Sequence, residues 1–295
     1  MRPRSSPAPR ARGFTLTELA VVVAIVALLI GGTLMTLAAQ NAAREVSDTQ
    51  RTLETARDAI VGFALQNGRL PCPASDGSPD VSGVATVPSG GAESFCTSDL
   101  PAACGAHITV PPYPAHGRCS NPRNGYLPAA SLGLGPTGSL PNLGPPPNNS
   151  GFLLDAWNNG IRYAVTDWNW PGPTPPALNN VFTASGGMKQ VGFAQLDPTL
   201  NLFLRVCSAA GPTTVDLVCP PGGGPQFNTP AVIFSLGKNW ALPGPGTDEL
   251  ENIDGDWVFV SRPPSPSGSA AQFDDIVIWL SPNVLYNRLI AAGAI

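Results

Sequence analysis

Lysine is almost missing from this chain: among 295 residues there are only Lys189 and Lys238. Charged residues make up 12% of the sequence and the formal net charge is -4, so there is no basic surface of the kind nucleic acid requires. Histidine is as scarce, with His107 and His116 alone, both in a Pro/Cys-rich stretch where they read as solvated loop residues. No G-x-S-x-G, Walker A or H-E-x-x-H motif occurs, and the chain reads as a non-enzyme. Proline is absent from Phe14 to Gln66, and charge is absent from Leu19 to Ala43.

Those two absences define the first quarter of the chain. The uncharged stretch of 25 residues exceeds the ~20 needed to cross a bilayer core as a helix. Four arginines (Arg2, Arg4, Arg10, Arg12) stand before it and the bulk of the chain follows, which places the leader in the cytoplasm and the rest outside. Without those four the formal balance falls from -4 to -8. After the apolar run, Val46, Leu53 and Ile60 recur every seven residues, with Ala56 and Phe63 between them. This predicts an amphipathic continuation of the same helix, interrupted at Thr49, with ion pairs Arg44/Asp48 and Glu54/Arg57 on its outer side. A helix from Phe14 to Gln66 would extend about 80 Å. Asn67-Gly68, followed by Pro71, is the expected stop.

Beyond residue 66 the composition changes: 31 of the 34 prolines and 28 of the 32 glycines lie there. Six tryptophans and five β-rich runs argue for an ordered, loop-heavy domain rather than disorder. The runs are residues 160–166, 202–206, 231–236, 257–261 and 276–281, each bounded by Gly, Pro, Asn or Asp. No helical pattern of 10–15 residues separates consecutive runs, so a small antiparallel sheet packed on the helix is expected. Residues 282–295 suit one short terminal helix, and 78–91, 135–150 and 171–176 read as irregular loops. The fold class is therefore α+β: a long N-terminal helix, half transmembrane and half amphipathic, on a small antiparallel sheet in a disulfide-pinned domain.

All six cysteines, Cys72, Cys96, Cys104, Cys119, Cys207 and Cys219, follow the apolar run. No C-x2-C pair is present, so disulfides in an oxidising compartment are preferred over zinc. Cys207 and Cys219 flank a Gly/Pro-containing excursion and are expected to pair. The other four allow three connectivities, of which Cys72 with Cys119 and Cys96 with Cys104 is favoured. Asp248, Glu249, Glu251, Asp254, Asp256, Asp274 and Asp275 gather within 28 residues. Such oxygen donors would suit Ca2+, the one cofactor considered, at Asp254, Asp256, Asp274 and Asp275; turn chemistry and solvation are the preferred reading, and the metal assignment stays unknown.

Glu18 is the one acid at the head of the apolar helix. Thr15-Leu-Thr-Glu18 matches the S/T-x-x-E capping box, which accounts for it locally. The wider stretch, Arg12 to Gly32 ("RGFTLTELAVVVAIVALLIGG"), resembles the N-terminus of type IV pilins and type II secretion pseudopilins. The resemblance implies cleavage after Gly13 by a prepilin peptidase, N-methylation of Phe14, and a role for Glu18 in neutralising a neighbouring subunit's new amine during assembly. It also implies a domain order of leader 1–13, transmembrane helix 14–43, amphipathic continuation 44–66 and periplasmic domain 67–295. The implied setting is a bacterial inner membrane, single-pass, with prepilin peptidase, other pilin or pseudopilin subunits and an assembly platform as partners. The Asp155-x-Trp157 element is similar to the Asp-x-Trp-Gly segment of major pseudopilins, with Asn158 in place of Gly; this and the large domain point to a minor or specialised subunit. The alternative is a periplasmic binding protein or enzyme using the segment only as anchor or signal.

Overall fold

The computed structural model describes residues 15–78, 86–98, 104, 107–135, 137–138, 150–167, 179–192, 203–210, 219–220, 227–240, 246–265 and 272–295, with backbone alone over 31–38. The chain divides into two compact units, Met1–Ser47 and Asp48–Ile295. The boundary falls inside the first helix, α1 (Leu16–Asn67).

In the first unit, every described apolar side chain from Leu16 to Ile30 is exposed, including Leu16 at 86% and Leu28 at 80%. These side chains point in all directions around the helix, so no single face is left polar for water. Among the described residues no helix is long and apolar enough to cross a membrane. The described side chains of α1 before 31–38 cover 15 positions, 13 of them apolar, fewer than the ~20 a bilayer core requires. The span expected over 14–43 thus extends past the described side chains.

The second unit is built on the remainder of α1. Leu53, Ala56, Ile60 and Ala64 are fully buried, following the heptad stripe expected from sequence. Thr49, expected as an interruption, is also fully buried, because its Oγ1 accepts the backbone N–H of Ala156 at 3.2 Å. The expected ion pairs give way to Arg51–Asp48 and Arg57–Asp58, both at 3.9 Å. All four side chains are well exposed, so neither arrangement has much energy to enforce it. α1 ends as anticipated: Gly68 takes φ 65° and donates its N–H to Ala64 O at 2.9 Å.

The α1 stripe packs on a four-stranded antiparallel sheet formed by β3 (Gly125–Tyr126), β4 (Arg162–Val165), β7 (Ala231–Ser235) and β9 (Ile276–Leu280), in the order β3-β4-β7-β9. Tyr163, Val165, Ala231, Ile233 and Leu280 face α1. Ala164, Val232, Phe234 and Val277 alternate with them on the opposite face. That second face is covered by β5 (Leu204–Cys207), β6 (Phe227–Thr229) and β8 (Val258–Val260) through Leu204, Val206 and Phe259. Burial on both sides explains why the sequence of β7 and β9 is apolar without alternation, a pattern usually associated with parallel sheets.

All five strand runs expected from sequence are strands, and the sheet on α1 is antiparallel as expected; a second sheet adds one parallel pair. β5 pairs antiparallel with β6 and parallel with β8. The chain between β5 and β8 passes through β6, β7 and α4 (Thr247–Glu251), so the parallel return uses strands of both sheets instead of one crossover helix. A short ladder of β1 (Phe95–Cys96) with β2 (His107–Ile108), and the helices α2 (Ala129–Leu132), α3 (Gly187–Val191) and α5 (Pro282–Ala291), complete the described elements. Much of the loop regions expected over 78–91, 135–150 and 171–176 lies outside the described residues.

Candidate functional site

At the head of α1 the capping box forms. The backbone N–H of Thr15 donates to Glu18 Oε2 at 2.9 Å, and Thr15 Oγ1 donates to the same oxygen at 2.8 Å. Glu18 N lies 3.3 Å from Thr15 Oγ1 in return, and Leu19 N donates to Thr15 O at 3.2 Å. The carboxylate therefore satisfies orphan donors of the first turn and sits at the positive end of the helix dipole. Gly13 and Phe14 lie outside the described residues.

The chemistry of this end is a contrast between one anion and its surroundings. Leu16, Leu19, Val22 and Ile25 beside it are all more than half exposed, a surface that a helix in water would bury. Residues 9–34 match the prokaryotic N-terminal methylation motif. The chain carries a prepilin-type cleavage and methylation signal. The match encloses Gly13, Phe14 and Glu18. No curated protein and no solved structure matches the chain.

The six cysteines form three bridges, Cys72–Cys119, Cys96–Cys104 and Cys207–Cys219. The first two meet around β1: Phe95 bridges to Cys119, and Cys96 pairs with His107 across the β1–β2 ladder. This crowding corrects the reading of the histidines as solvated. His107 Nδ1 lies 3.0 Å from Ser120 Oγ, His116 Nδ1 accepts Arg118 N–H at 3.0 Å, and both Nε2 atoms are buried.

The seven acids fall into two groups and one ion pair. Asp248 joins Arg262 at 2.5 Å. Glu251, Asp254 and Asp256 form one group, where Asp254 Oδ1 and Asp256 Oδ1 accept the N–H of Asp256 and Val258 around Gly255 at φ 84°. Glu249, Asp274 and Asp275 form the other. Glu249 Oε1 accepts from Asp274 N at 2.9 Å and Asn239 Nδ2 at 3.2 Å, while its Oε2 accepts Gly246 N at 2.7 Å. Asp274 Oδ2 accepts Lys238 N and Asn239 N, and Asp275 Oδ2 accepts Asn252 Nδ2 at 2.7 Å. Burial pushes Asp275 well above the usual carboxylate range and raises Asp274. Both groups have the oxygen donors that a hard divalent cation would need. The groups that Glu249, Asp274 and Asp275 hold also make these three side chains clamps between the turn at 237–239, α4 and the start of β9.

Two further elements have local explanations. Asp155 Oδ1 accepts the N–H of Trp157 and Asn159, its Oδ2 accepts Ser235 Oγ at 2.6 Å, and Asn158 takes φ 66°. A left-handed conformation at 158 is the reason Gly suits this place and Asn, among the other residues, tolerates it. Residues 133–138, "GLGPTG", have the spacing of a dinucleotide-binding glycine loop. They follow α2, and Gly138 pairs with Phe152, so among the described residues no strand-to-helix turn is present here to receive a pyrophosphate.

Proposed function

We propose that the chain is a non-enzymatic structural subunit of a type IV pilus-like or type II secretion pseudopilus filament, of the minor or specialised kind. The observation that carries this reading is a helix head inside the methylation motif, where a capped Glu18 lies among exposed apolar side chains. Prepilin peptidase cuts after Gly13 at the cytoplasmic face, Phe14 is methylated, and residues 14–43 stay in the inner membrane as a single span. The described apolar run continues in sequence through 31–38, which supplies the missing length. The second unit then lies in the periplasm, where its three disulfides are at home.

A carboxylate at the centre of an inserted helix costs ~2.5–3.5 kcal/mol on translocon scales, so Glu18 requires a partner once water is excluded. The amine created at Phe14 of a neighbouring subunit supplies the charge. Glu18 then exchanges its own Thr15 for that amine, and the exchange rewards one register of packed helices over others. Intact-mass and N-terminal analysis of the chain from its host membrane is the test. A start at N-methylated Phe14 is the expected result. Retention of Met1, or a start near Gln40, would overturn the reading in favour of an anchor or an ordinary signal peptide.

A further inference from the structure

The three bridges differ in what covers them. Cys72 and Cys119 belong to the apolar core under α1, at 0% and 5% exposure. Cys96 and Cys104 are covered as deeply, with Cys96 Sγ 3.5 Å from Cys119 O and Cys104 Sγ 3.4 Å from His107 Nδ1. Cys207 is buried at the end of β5, but its partner Cys219 is part-exposed, the one cysteine of the six that is not buried. Exchange requires a thiolate to reach a sulfur in line with the S–S bond, so this is the bridge a thiol can enter before the fold opens.

Cys207 does not depend on the bridge for its place. Its backbone pairs with Val260 of β8, and its carbonyl oxygen accepts the N–H of Ser261 at 2.8 Å. Three residues on, Ala210 N donates to Asp248 Oδ1 at 2.7 Å, while Arg262 Nε donates to Asp248 Oδ2 at 2.5 Å. Neither Cys207 nor Cys219 joins an apolar cluster among the described residues, so breaking the S–S bond opens no gap in the core.

We propose that Cys207–Cys219 is a thiol–disulfide exchange site, opened by a dithiol of the surrounding compartment with Cys219 Sγ as the sulfur attacked. One thiolate of the dithiol bonds to Cys219 Sγ while the bond to Cys207 breaks and Cys207 leaves with the electron pair. The second thiolate attacks the reagent's own sulfur, closes the reagent's disulfide and releases Cys219. Two electrons pass from the dithiol to the bridge, and the dithiol's two protons end on Cys207 and Cys219. Reduction detaches Cys219 from β5 while Ala210 stays on Asp248, so the reduced unit keeps both sheets and the other two bridges. The assignment holds whether or not the chain enters a filament.

The test uses the full chain, extracted from its host membrane in detergent with all three bridges intact. It is treated with dithiothreitol for graded times, capped with iodoacetamide and analysed by mass after tryptic digestion. No Lys or Arg lies between Arg205 and Lys238, so Cys207 and Cys219 share one peptide, free of the other four cysteines. Both are expected to be capped about ten-fold faster than those four, with tryptophan fluorescence unchanged, because buried bridges react only through rarer local openings. Glutathione, a monothiol, lacks the second step; with the cap present it is expected on Cys219, with Cys207 capped. Combining Cys207→Ser with Cys219→Ser should delete the fast phase and leave the four slow cysteines as they were. Bridges that open together, earlier opening of either buried bridge, capping of Cys207 and Cys219 only as fluorescence changes, glutathione on Cys207, or a fast phase surviving in the double variant would each overturn the assignment.

Discussion

Thr49 and Ala156 are joined across 107 residues by one hydrogen bond, the N–H of Ala156 donating to Thr49 Oγ1 at 3.2 Å. The hydroxyl lies on the buried stripe of α1, so the bond fixes the loop after 155 to the helix at the level of its first core-facing residue. Thr49→Val keeps the shape and deletes the acceptor. It is expected to destabilise the second unit by about 0.5–1.5 kcal/mol, the net worth of a hydrogen bond whose donor, on the exposed Ala156, water can reach. Urea titration should show a lower midpoint with an unchanged m-value; an unchanged midpoint would mean that water serves Ala156 equally well.

At Asn158 the backbone sets the outcome. With φ at 66°, Asn158→Gly is expected to alter stability by no more than about 0.5 kcal/mol, since relief of strain offsets added freedom in the unfolded chain. A β-branched side chain is a different matter, and Asn158→Val should cost about 1–2 kcal/mol. Equal melting temperatures for the two variants would show that the turn does not keep its left-handed residue in solution.

The buried carboxyls give the unit a pH dependence of defined sign. Burial raises Asp155, Asp274 and Asp275 above their unfolded values, Asp275 most of all. Between those limits the folded state holds protons that the unfolded state has lost, so these groups lower stability as pH rises from the ordinary carboxyl range through the raised values. Each such proton contributes a slope of up to ~1.4 kcal/mol per pH unit. Asp275→Asn keeps an acceptor for Asn252 Nδ2 and should flatten the profile while raising the melting temperature at pH 7. Thermal melts from pH 5 to 7.5 check both, and a wild-type curve that climbs toward pH 7.5 would contradict the assignment.

Glu18→Ala separates the cap from assembly. Loss of the cap costs about 1 kcal/mol in the first turn of α1, far in sequence from the core of the second unit. Cleavage after Gly13 and the three disulfides are therefore expected to be unaffected, while incorporation into filaments is lost. Mass analysis of the membrane fraction beside sheared filaments makes the comparison; incorporation at the wild-type level would leave Glu18 with its capping role alone.

How much of this was legible in sequence depends on how local the cause is. The helix end at Asn67-Gly68, the five apolar strand runs and the capping box each rest on a few neighbouring residues, and each is found where expected. Strands β1, β2 and β3 have two residues apiece, too few to show a period. The parallel pairing of β5 with β8 depends on two sheets stacking, which no local pattern encodes. Thr49 looked like a flaw because its partner is 107 positions away. The grouping of Glu249 with Asp274 and Asp275 likewise depends on α4 folding back on the chain before β9.

Where α1 stops, the chain does not run on as free loop. Arg69 stacks between Phe63 and Phe95, with ring centroids at 5.1 and 5.2 Å, and grips Glu93 through two hydrogen bonds of 2.6 and 2.9 Å. Leu70 donates to Phe182 O at 2.7 Å, and Cys72 is covalently tied to Cys119. Tension travelling down α1 would meet an ionic grip, a backbone tether and then a covalent bolt within five residues of the helix end. A mechanical load would be handed to the β1 ladder before the sheet had to yield.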